Sequence, residues 1–431
     1  MHDRRVLRSH LPDLTPLREN AAYRRLYSGF TLSNVGSQMA VVAIGLQVYD
    51  ITGSTAAVGL VGLFALVPLV VMGLYGGSLS DHHDRRTVAL VANLVAWLTS
   101  IACAVQAWLG NDDVWVLYVL VGVWNGAFGV SSPARSSIYP RILPREQLPA
   151  ANALGVMSMS AAMMLGPLLA GLLVDWAGFA AAYTVDALVT MAALWGLWRL
   201  QALPPEPHEE GGATRAGLGS VIDGFRFLRG APNVRMTFVS DIAAMLLAQP
   251  RVIFPAAGAV ILGGGASTVG ALYAAGAVGA VVATLLSGRL GGVRRQGLAI
   301  MVSIVGWGLG ITGLGLALLG AESVLTPEQA FWGALVAMAL AGGSDAVSAV
   351  FRTTILQSAA PDRMRGRLQG VFIVVVAGGP RLGELLGGAV AERIGEGWMA
   401  VWGGIACIAA IGVLALRQPG FLHYDARHPT P

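Results

Sequence analysis

The sequence contains no lysine, and all of its 28 basic residues are arginines. Without lysine it has neither the cation of a phosphate-binding P-loop nor an amine for Schiff-base chemistry, so these ATPase and enzyme classes are excluded. Charged residues are also scarce, at 12% of the chain, whereas soluble domains carry about 25%. Because hydrophobic residues make up 55% and the mean hydropathy is +0.65, lipid must be the solvent for most of the 431 residues.

Two further residue types are missing from the places where they would carry chemistry. The two cysteines, Cys103 and Cys407, lie in apolar runs far apart in the chain, so a disulfide framework is excluded. The seven histidines all lie outside the long apolar runs. The sequence also shows no nucleophile–base motif, metal-ligand cluster or nucleotide-binding loop. We therefore expect neither an enzyme nor a bound metal or cofactor.

Long apolar runs occupy most of the chain, and each approaches the roughly 20 residues that cross a bilayer as a helix. Six lie before a central polar segment and six lie after it. We predict an all-α polytopic membrane protein whose twelve transmembrane helices form two pseudo-symmetric six-helix bundles. The predicted spans are 28–49, 56–79, 87–109, 114–134, 150–174, 179–199, 234–257, 268–290, 297–319, 330–351, 368–391 and 398–416.

The arginines predict the orientation of the chain in the membrane. If the N-terminus is cytoplasmic, 25 of the 28 arginines fall in tails and loops on the inner side, whereas the outer loops are acidic. This distribution follows the positive-inside rule, so we expect both termini in the cytoplasm. The basic pI of about 9.3 therefore indicates a membrane orientation and not nucleic-acid binding.

A polar segment joins the two predicted bundles. Residues 203–220 contain three prolines and a pair of glutamates, which predicts a flexible linker. Residues 218–228 alternate apolar and polar positions at helical spacing, which predicts a short interfacial helix. We divide the chain into an N-terminal tail (1–27), a first bundle (28–200), a linker with its helix (201–233), a second bundle (234–417) and a C-terminal tail (418–431).

The two halves are related in sequence. Duplicated six-helix halves that enclose a site at the membrane midplane are a recurring plan of secondary transporters. Three features recur at corresponding positions: Arg135 and Arg352 are 217 residues apart, as are Pro144 and Pro361, and the pair Gly166-Pro167 recurs as Gly379-Pro380.

The connection between the second and third spans carries the most specific motif. It reads GSLSDHHDRR, in which Gly77, Asp81, Arg85 and Arg86 match the pattern G-x-L-x-D-x-x-x-R-[RK]. This loop resembles the signature of the major facilitator superfamily. The resemblance implies that these residues close and release the cytoplasmic side during alternating access. An ordinary charged turn is the alternative interpretation.

A second motif, G-P-L-L-A-G, begins at Gly166 and Pro167 and is similar to the fifth-helix motif of the superfamily's exporters. Proline there bends the helix and small residues allow tight packing, although a simple kink is the alternative. The chain also resembles the siderophore (enterobactin) exporter branch and, around Asp81, the macrolide and multidrug efflux members. The resemblance implies a monomeric exporter of the bacterial inner membrane. It is densest over residues 224–228, 251–256, 272–275 and 287–290.

Charged groups inside membrane spans are costly and are therefore functional candidates. Because no histidine lies in a span, a proton relay would have to use carboxylates, with Asp345 and Asp241 as first choices and Asp186 as third. Bracing of helices by satisfied polar groups is the alternative. Asp345 has no cation three or four residues away on its helix.

The candidate substrate contacts are cationic and aromatic. Arg251 has no acid three or four residues away, whereas Arg381 is three residues from Glu384 and predicts an ion pair with it. Trp124 and Trp307 are candidates for an aromatic cavity, although packing or interface anchoring is the commoner role of tryptophan in membranes.

Three functions compete. We favour proton-coupled export of a siderophore, because guanidinium groups bind phenolate and carboxylate oxygens and aromatic residues bind catechol rings. Multidrug or macrolide efflux is the alternative on the same fold. A membrane receptor or scaffold without transport is disfavoured by the gate motif and the intramembrane charges. The expected partners are a small-molecule substrate, protons and the lipid bilayer.

Overall fold

The structure is a computed structural model, and it describes residues 13–204, 218–286, 292–359, 361–428 and 430. The backbone alone is described for residues 74, 77–78, 80–82, 218–221, 362–363, 365–367, 369–370 and 372–374.

Twelve long helices dominate the described chain, which confirms the predicted all-α class. Ten stretches are long and apolar enough to cross a membrane by length and composition, and one of them, Arg145–Trp198, contains two helices. The one long helix outside these stretches, Asp362–Ile394, has eight charged residues among its 33. The helices are α1 Ala21–Thr52, α2 Thr55–His82, α3 Arg85–Trp108, α4 Val114–Ile142, α5 148–177, α6 179–198, α7 Pro232–Ile261, α8 Gly265–Leu285, α9 Gln296–Ala321, α10 Pro327–Ala359, α11 Asp362–Ile394 and α12 Glu396–Arg417.

A single glycine separates α5 from α6. Helical hydrogen bonding runs through Leu148–Trp198, but Gly178 has φ 76° and ψ 178°. Residues with a Cβ rarely adopt a positive φ, so glycine allows the chain to turn back here. Gly395, with φ 86°, separates α11 from α12 in the same way. The two halves therefore turn at equivalent points.

Polar residues at the loop ends begin the helices of the first half. The side chains of Asn20, Ser54, Asp84 and Asp113 accept backbone N–H groups of the first turns of α1, α2, α3 and α4. Such caps satisfy donors that a helix leaves unpaired at its start. Because Asn20 provides a cap, α1 begins at Ala21, inside the segment that the hydropathy pattern assigned to the N-terminal tail.

Small residues let the two halves approach closely. Within the first half α1 packs on α5–α6 and α2 packs on α4, and within the second half α9 packs on α10 and α12. Between the halves α2 packs on α11 and α5 packs on α8. Added methyl groups at Gly59 and Gly62 of α2 would lie 2.7 and 2.8 Å from carbonyl oxygens of α11. Glycine is therefore required at this interface.

The two ends of the helix bundle differ in charge. We call the end with residues 53–54, 109–113, 262–264 and 322–326 the acidic face, and the opposite end, with residues 83–84, 143–147, 199–204 and 292–295, the arginine-rich face. The sequence predicts that the arginine-rich face is cytoplasmic.

Candidate transport site and gates

A buried arginine in the second half lies between two carboxylates. Arg352 of α10 forms an ion pair with Asp241 of α7 and a second one with Asp345 of its own helix, at 3.1 Å. The side chains of Arg352 and Asp241 are 11% and 9% exposed, whereas that of Asp345 is 40% exposed. Asp345 therefore does have a cation on its own helix. This cation, Arg352, is seven residues away, about two helical turns, and so lies beyond the three- and four-residue spacings that predict pairs along a helix.

Arg251 lies where α7 loses its regular geometry. The helical part stops at Leu247, and Arg251 opens a short 3-10 turn. Its side chain is exposed and makes no hydrogen bond or ion pair with any described residue. It is close enough to interact electrostatically with Asp345, Glu384 and Tyr273. Arg251 therefore belongs to a polar cluster contributed by α7, α8, α10 and α11, which also includes the guanidinium of Arg381.

Arg381 of α11 connects the two halves. Its Nη2 donates to Oδ1 of Asn125 in α4 at 2.9 Å, and its Nη1 donates to the carbonyl of Ala377 at 2.9 Å. Arg381 and Glu384 interact electrostatically, but they do not form the predicted ion pair. Glu384 lies instead beside Gly62 of α2, where an added methyl group would come within 3.0 Å of its Oε2.

Asp186 has a different environment from the carboxylates of the second half. It is 2% exposed, and its oxygens accept from the hydroxyl groups of Ser100 at 2.7 Å and Thr190 at 3.3 Å. It also lies against the backbone of α1 at Gly36. This satisfied arrangement between α1, α3 and α6 favours the bracing interpretation.

The two candidate tryptophans lie in different surroundings. Trp124 of α4 is partly exposed and stacks on Phe128 one turn later, with ring centroids 5.6 Å apart. Trp307 of α9 is 8% exposed and packs in the core of the second half. The aromatic surface at Trp124 is therefore partly exposed, whereas Trp307 contributes to packing.

The gate motif is described in part. The backbone of residues 77–82 completes α2, but the side chain of Asp81 and the surroundings of Gly77 lie outside the described residues. Arg86 donates to the last two carbonyls of α6, at 3.2 and 2.7 Å. The Nε of Arg85 is buried and has no partner in the described part of the chain. Arg86 thus ties the start of α3 to the end of α6.

Gly166 and Pro167 lie at two helix interfaces. A methyl group added at Gly166 would lie 2.9 Å from the carbonyl oxygen of Val35 in α1, and the carbonyl of Pro167 packs against Gly270 of α8. The motif therefore brings α5 close to both helices.

Sequence reasoning missed several residues of the site. Arg352 was grouped with the loop arginines of the cytoplasmic side, although its seven-residue spacing from Asp345 could have revealed it. Asn125 and Tyr273 were passed over because they are uncharged. An amide inside an apolar span needs a partner, and this signal could have found Asn125.

The fold is shared with solved membrane transporters. A POT family transporter in complex with 5-aminolevulinic acid superposes with a TM-score of 0.70 at 11% sequence identity, covering 93% of this chain and 97% of that one. The nucleoside transporter NupG superposes with a TM-score of 0.68 at 14% identity, covering 94% of this chain and 99% of that one. The helices described above therefore form the fold of major facilitator transporters.

The sequence specifies the family. Residues 12–425 match the family described as transmembrane secretion effector, and the chain belongs to this family of major facilitator exporters. It is 30% identical over 423 residues to the enterobactin exporter EntS of Citrobacter koseri, covering 95% of this chain and 97% of that protein. It is 31% identical over 382 residues to the EntS of Shigella boydii serotype 18, covering 88% of each. The chain is thus a multi-pass membrane transporter and not an enzyme.

Proposed function

We propose that this protein is a secondary active exporter that moves a catecholate siderophore of the enterobactin type out of the cytoplasm, coupled to protons. The observation that carries the proposal is Arg251, an intramembrane guanidinium with no hydrogen bond or ion pair among the described residues. Asp345 and Glu384 interact with it electrostatically without forming an ion pair, so its N–H donors are left for an anionic or strongly accepting partner. The enterobactin exporters to which the chain is similar support a siderophore as that partner.

The surroundings of Arg251 suit a catecholate. Adjacent phenolate oxygens accept two parallel hydrogen bonds from one guanidinium, a geometry that lysine lacks. Tyr273 lies near Arg251 and packs edge-on against Phe254, with centroids 4.7 Å apart. Its hydroxyl and ring match the mixed polar and aromatic character of a catechol.

The carboxylates around Arg352 support proton coupling. With Asp345 ionised, Arg352 and its two acids carry a net charge of −1, and a proton on Asp345 makes the group neutral. The side chain of Asp345 is 40% exposed, whereas that of Asp241 is 9% exposed. Asp345 therefore exchanges the proton, while Asp241 keeps Arg352 in place. Because Arg251 also interacts with Asp345, an anionic substrate at Arg251 competes with the charged form of Asp345.

The division into halves supports alternating access. The gate motif lies on the arginine-rich face, which the arginine distribution predicts to be cytoplasmic. Deeper in the membrane, Arg381 joins the two halves through its hydrogen bond to Asn125. Each face opens in turn when the halves rock about the central cluster.

Efflux of macrolides or other drugs is the second candidate function. The partly exposed stack of Trp124 and Phe128 favours it, because aromatic surfaces bind neutral or cationic drugs without an anionic group. The two functions differ in their need for Arg251.

Replacement of Arg251 by Gln tests the substrate class in proteoliposomes. We expect a folded protein whose enterobactin export falls roughly tenfold or more, because charge-assisted hydrogen bonds are lost. Transport of a neutral or cationic drug should change little. Arg393→Gln, an exposed arginine on the acidic face, is the matched control. A folded Arg251→Gln protein that exports enterobactin at the wild-type rate would refute the substrate contact and favour drug efflux.

A further inference from the structure

A carboxylate at the end of α5 reaches a helix of the other half. Oδ1 of Asp175 accepts the backbone N–H of Ala266 at 2.8 Å, and Oδ2 accepts that of Ser267 at 2.7 Å. These groups belong to the first turn of α8, where N–H donors are unpaired within the helix and the helix dipole is positive. Asp175 of the first half therefore caps α8 of the second half at the acidic face.

The start of α8 is shaped to receive this carboxylate. Gly265 has φ 66°, and a Cβ added there would lie 2.7 Å from Oδ1 of Asp175. Any larger residue would strain the backbone and also displace the carboxylate. The contact between Asp175 and α8 therefore needs glycine at position 265.

A matching contact lies at the same face, between α11 and α2. Oε2 of Glu392, at the end of α11, accepts the backbone N–H of Ala56 at 3.2 Å and the hydroxyl of Ser54 at 2.9 Å. Glu396 accepts the hydroxyl of Thr55 at 2.6 Å. The second half therefore caps α2 of the first half, as the first half caps α8.

The two contacts are related by the internal duplication. In each contact the carboxylate lies at the same position near the end of a corresponding helix, Asp175 in α5 and Glu392 in α11. Three pairs are each 217 residues apart: the caps Asp175 and Glu392, the turns Gly178 and Gly395, and the close-packed Gly171 and Gly388.

We propose that Asp175 and Glu392 are paired latches that hold the acidic face closed and must both open in each transport cycle. The inference rests on the alternating access proposed above. Each latch joins helices of different halves, so separation of the halves at this face breaks both. Because both residues are exposed at the end of the bundle, the bonds are weak enough to open and re-form without a large barrier.

A third acid at this face provides the comparison. Asp113 accepts the backbone N–H of Trp115 at 3.0 Å and caps α4 within its own half. It is exposed, as the two latch residues are. Its removal weakens a helix start without touching the contact between the halves.

Distance measurements between spin labels test the latches. Labels at Asp112→Cys and Val324→Cys, exposed positions at the acidic face in opposite halves, report separation there. The background carries Cys103→Ala and Cys407→Ala, which remove both native thiols. We expect Asp175→Ala and Glu392→Ala each to raise the ratio of separated to closed molecules about fivefold, and the double variant about 25-fold if the latches act independently.

Controls separate a gating effect from misfolding. Asp175→Asn and Glu392→Gln keep an acceptor oxygen and should give smaller shifts in the same direction, whereas Asp113→Ala should give none. A distance distribution in the double variant equal to that of the parent, or an equal shift with Asp113→Ala, overturns the latches. The distance measurements require neither substrate nor a proton gradient. A shift together with failure of the parent to transport enterobactin therefore upholds the latches and refutes only the proposed substrate.

Discussion

The guanidinium of Arg135 in α4 lies 4.8 Å from the ring centroid of Phe30 in α1, a cation–π contact. The equivalent arginine of the second half, Arg352, pairs instead with Asp241, which is the tenth residue of α7 as Phe30 is the tenth of α1. One arginine position is thus held by a ring in one half and by carboxylates in the other. Because a phenyl ring does not titrate and a carboxylate does, this difference favours the second half for proton coupling.

Asp345→Asn tests this assignment. We expect loss of uphill export in inverted vesicles with a proton gradient, while exchange of substrate down its gradient continues, because the amide fills the space without taking up a proton. Asp186→Asn is the matched control, since that acid is bonded to hydroxyl groups in the first half. Uphill export by Asp345→Asn at the wild-type rate, with unchanged pH dependence, would exclude Asp345 as the coupling group.

Asp241→Asn is expected to act on stability as well as on transport. It removes the main partner of Arg352, whose side chain is 11% exposed, and leaves that charge with Asp345 alone. Breaking a buried ion pair costs about 3–5 kcal/mol. Thermal unfolding in detergent should therefore show a lower midpoint than for Asp345→Asn. Equal unfolding midpoints for the two variants would contradict the view that Asp241 holds Arg352 in place while Asp345 exchanges the proton.

Asp81→Asn tests the gate on the arginine-rich face. The motif predicts slower transport by a folded protein, because the carboxylate biases the gate and does not support the core. Asp84→Asn is the contrasting variant. The oxygens of Asp84 accept N–H groups of Thr87 at 2.7 Å and Leu203 at 2.6 Å, so its loss should lower stability by about 1 kcal/mol. Wild-type transport by Asp81→Asn would refute the gate.

Gly62→Ala tests the packing of α2 on α11. The new methyl group would lie 2.8 Å from the carbonyl oxygen of Arg381, so the two helices must move apart, at a cost of about 1–3 kcal/mol. Gly378→Ala is the control, because its nearest neighbour across the interface is a flexible Leu66 side chain 3.8 Å away. We expect a lower unfolding midpoint for Gly62→Ala alone. Similar unfolding midpoints for both variants would show that α2 and α11 can move apart without a loss of stability.

Several features of the protein could be predicted from local sequence. The twelve helices follow from the spacing of apolar runs, and the superfamily follows from the loop that contains Gly77, Asp81, Arg85 and Arg86. The 217-residue offset between Arg135 and Arg352 revealed the duplication. Each of these signals lies within a few residues or repeats at a fixed distance, so no knowledge of packing is needed to detect it.

The pairing of charges was harder to predict. The expected ion pair of Arg381 and Glu384 is within reach along one helix, yet Arg381 bonds to Asn125, which is 256 residues earlier. Helical spacing shows which residues share a face, but it does not show what the neighbouring helix offers to that face.

The sequence by itself determined that lipid is the solvent, that the chain crosses it twelve times and that one end of the bundle is basic, because hydropathy and charge act residue by residue. Only the tertiary structure decided that Arg352 lies between Asp241 and Asp345, that Arg251 is left without an ion pair among the described residues, and that Asp175 and Glu392 each cap a helix of the other half. Those contacts join residues far apart in the chain. They form because close packing at small residues brings particular helices together, and a buried or capping charge then takes the partner within its reach.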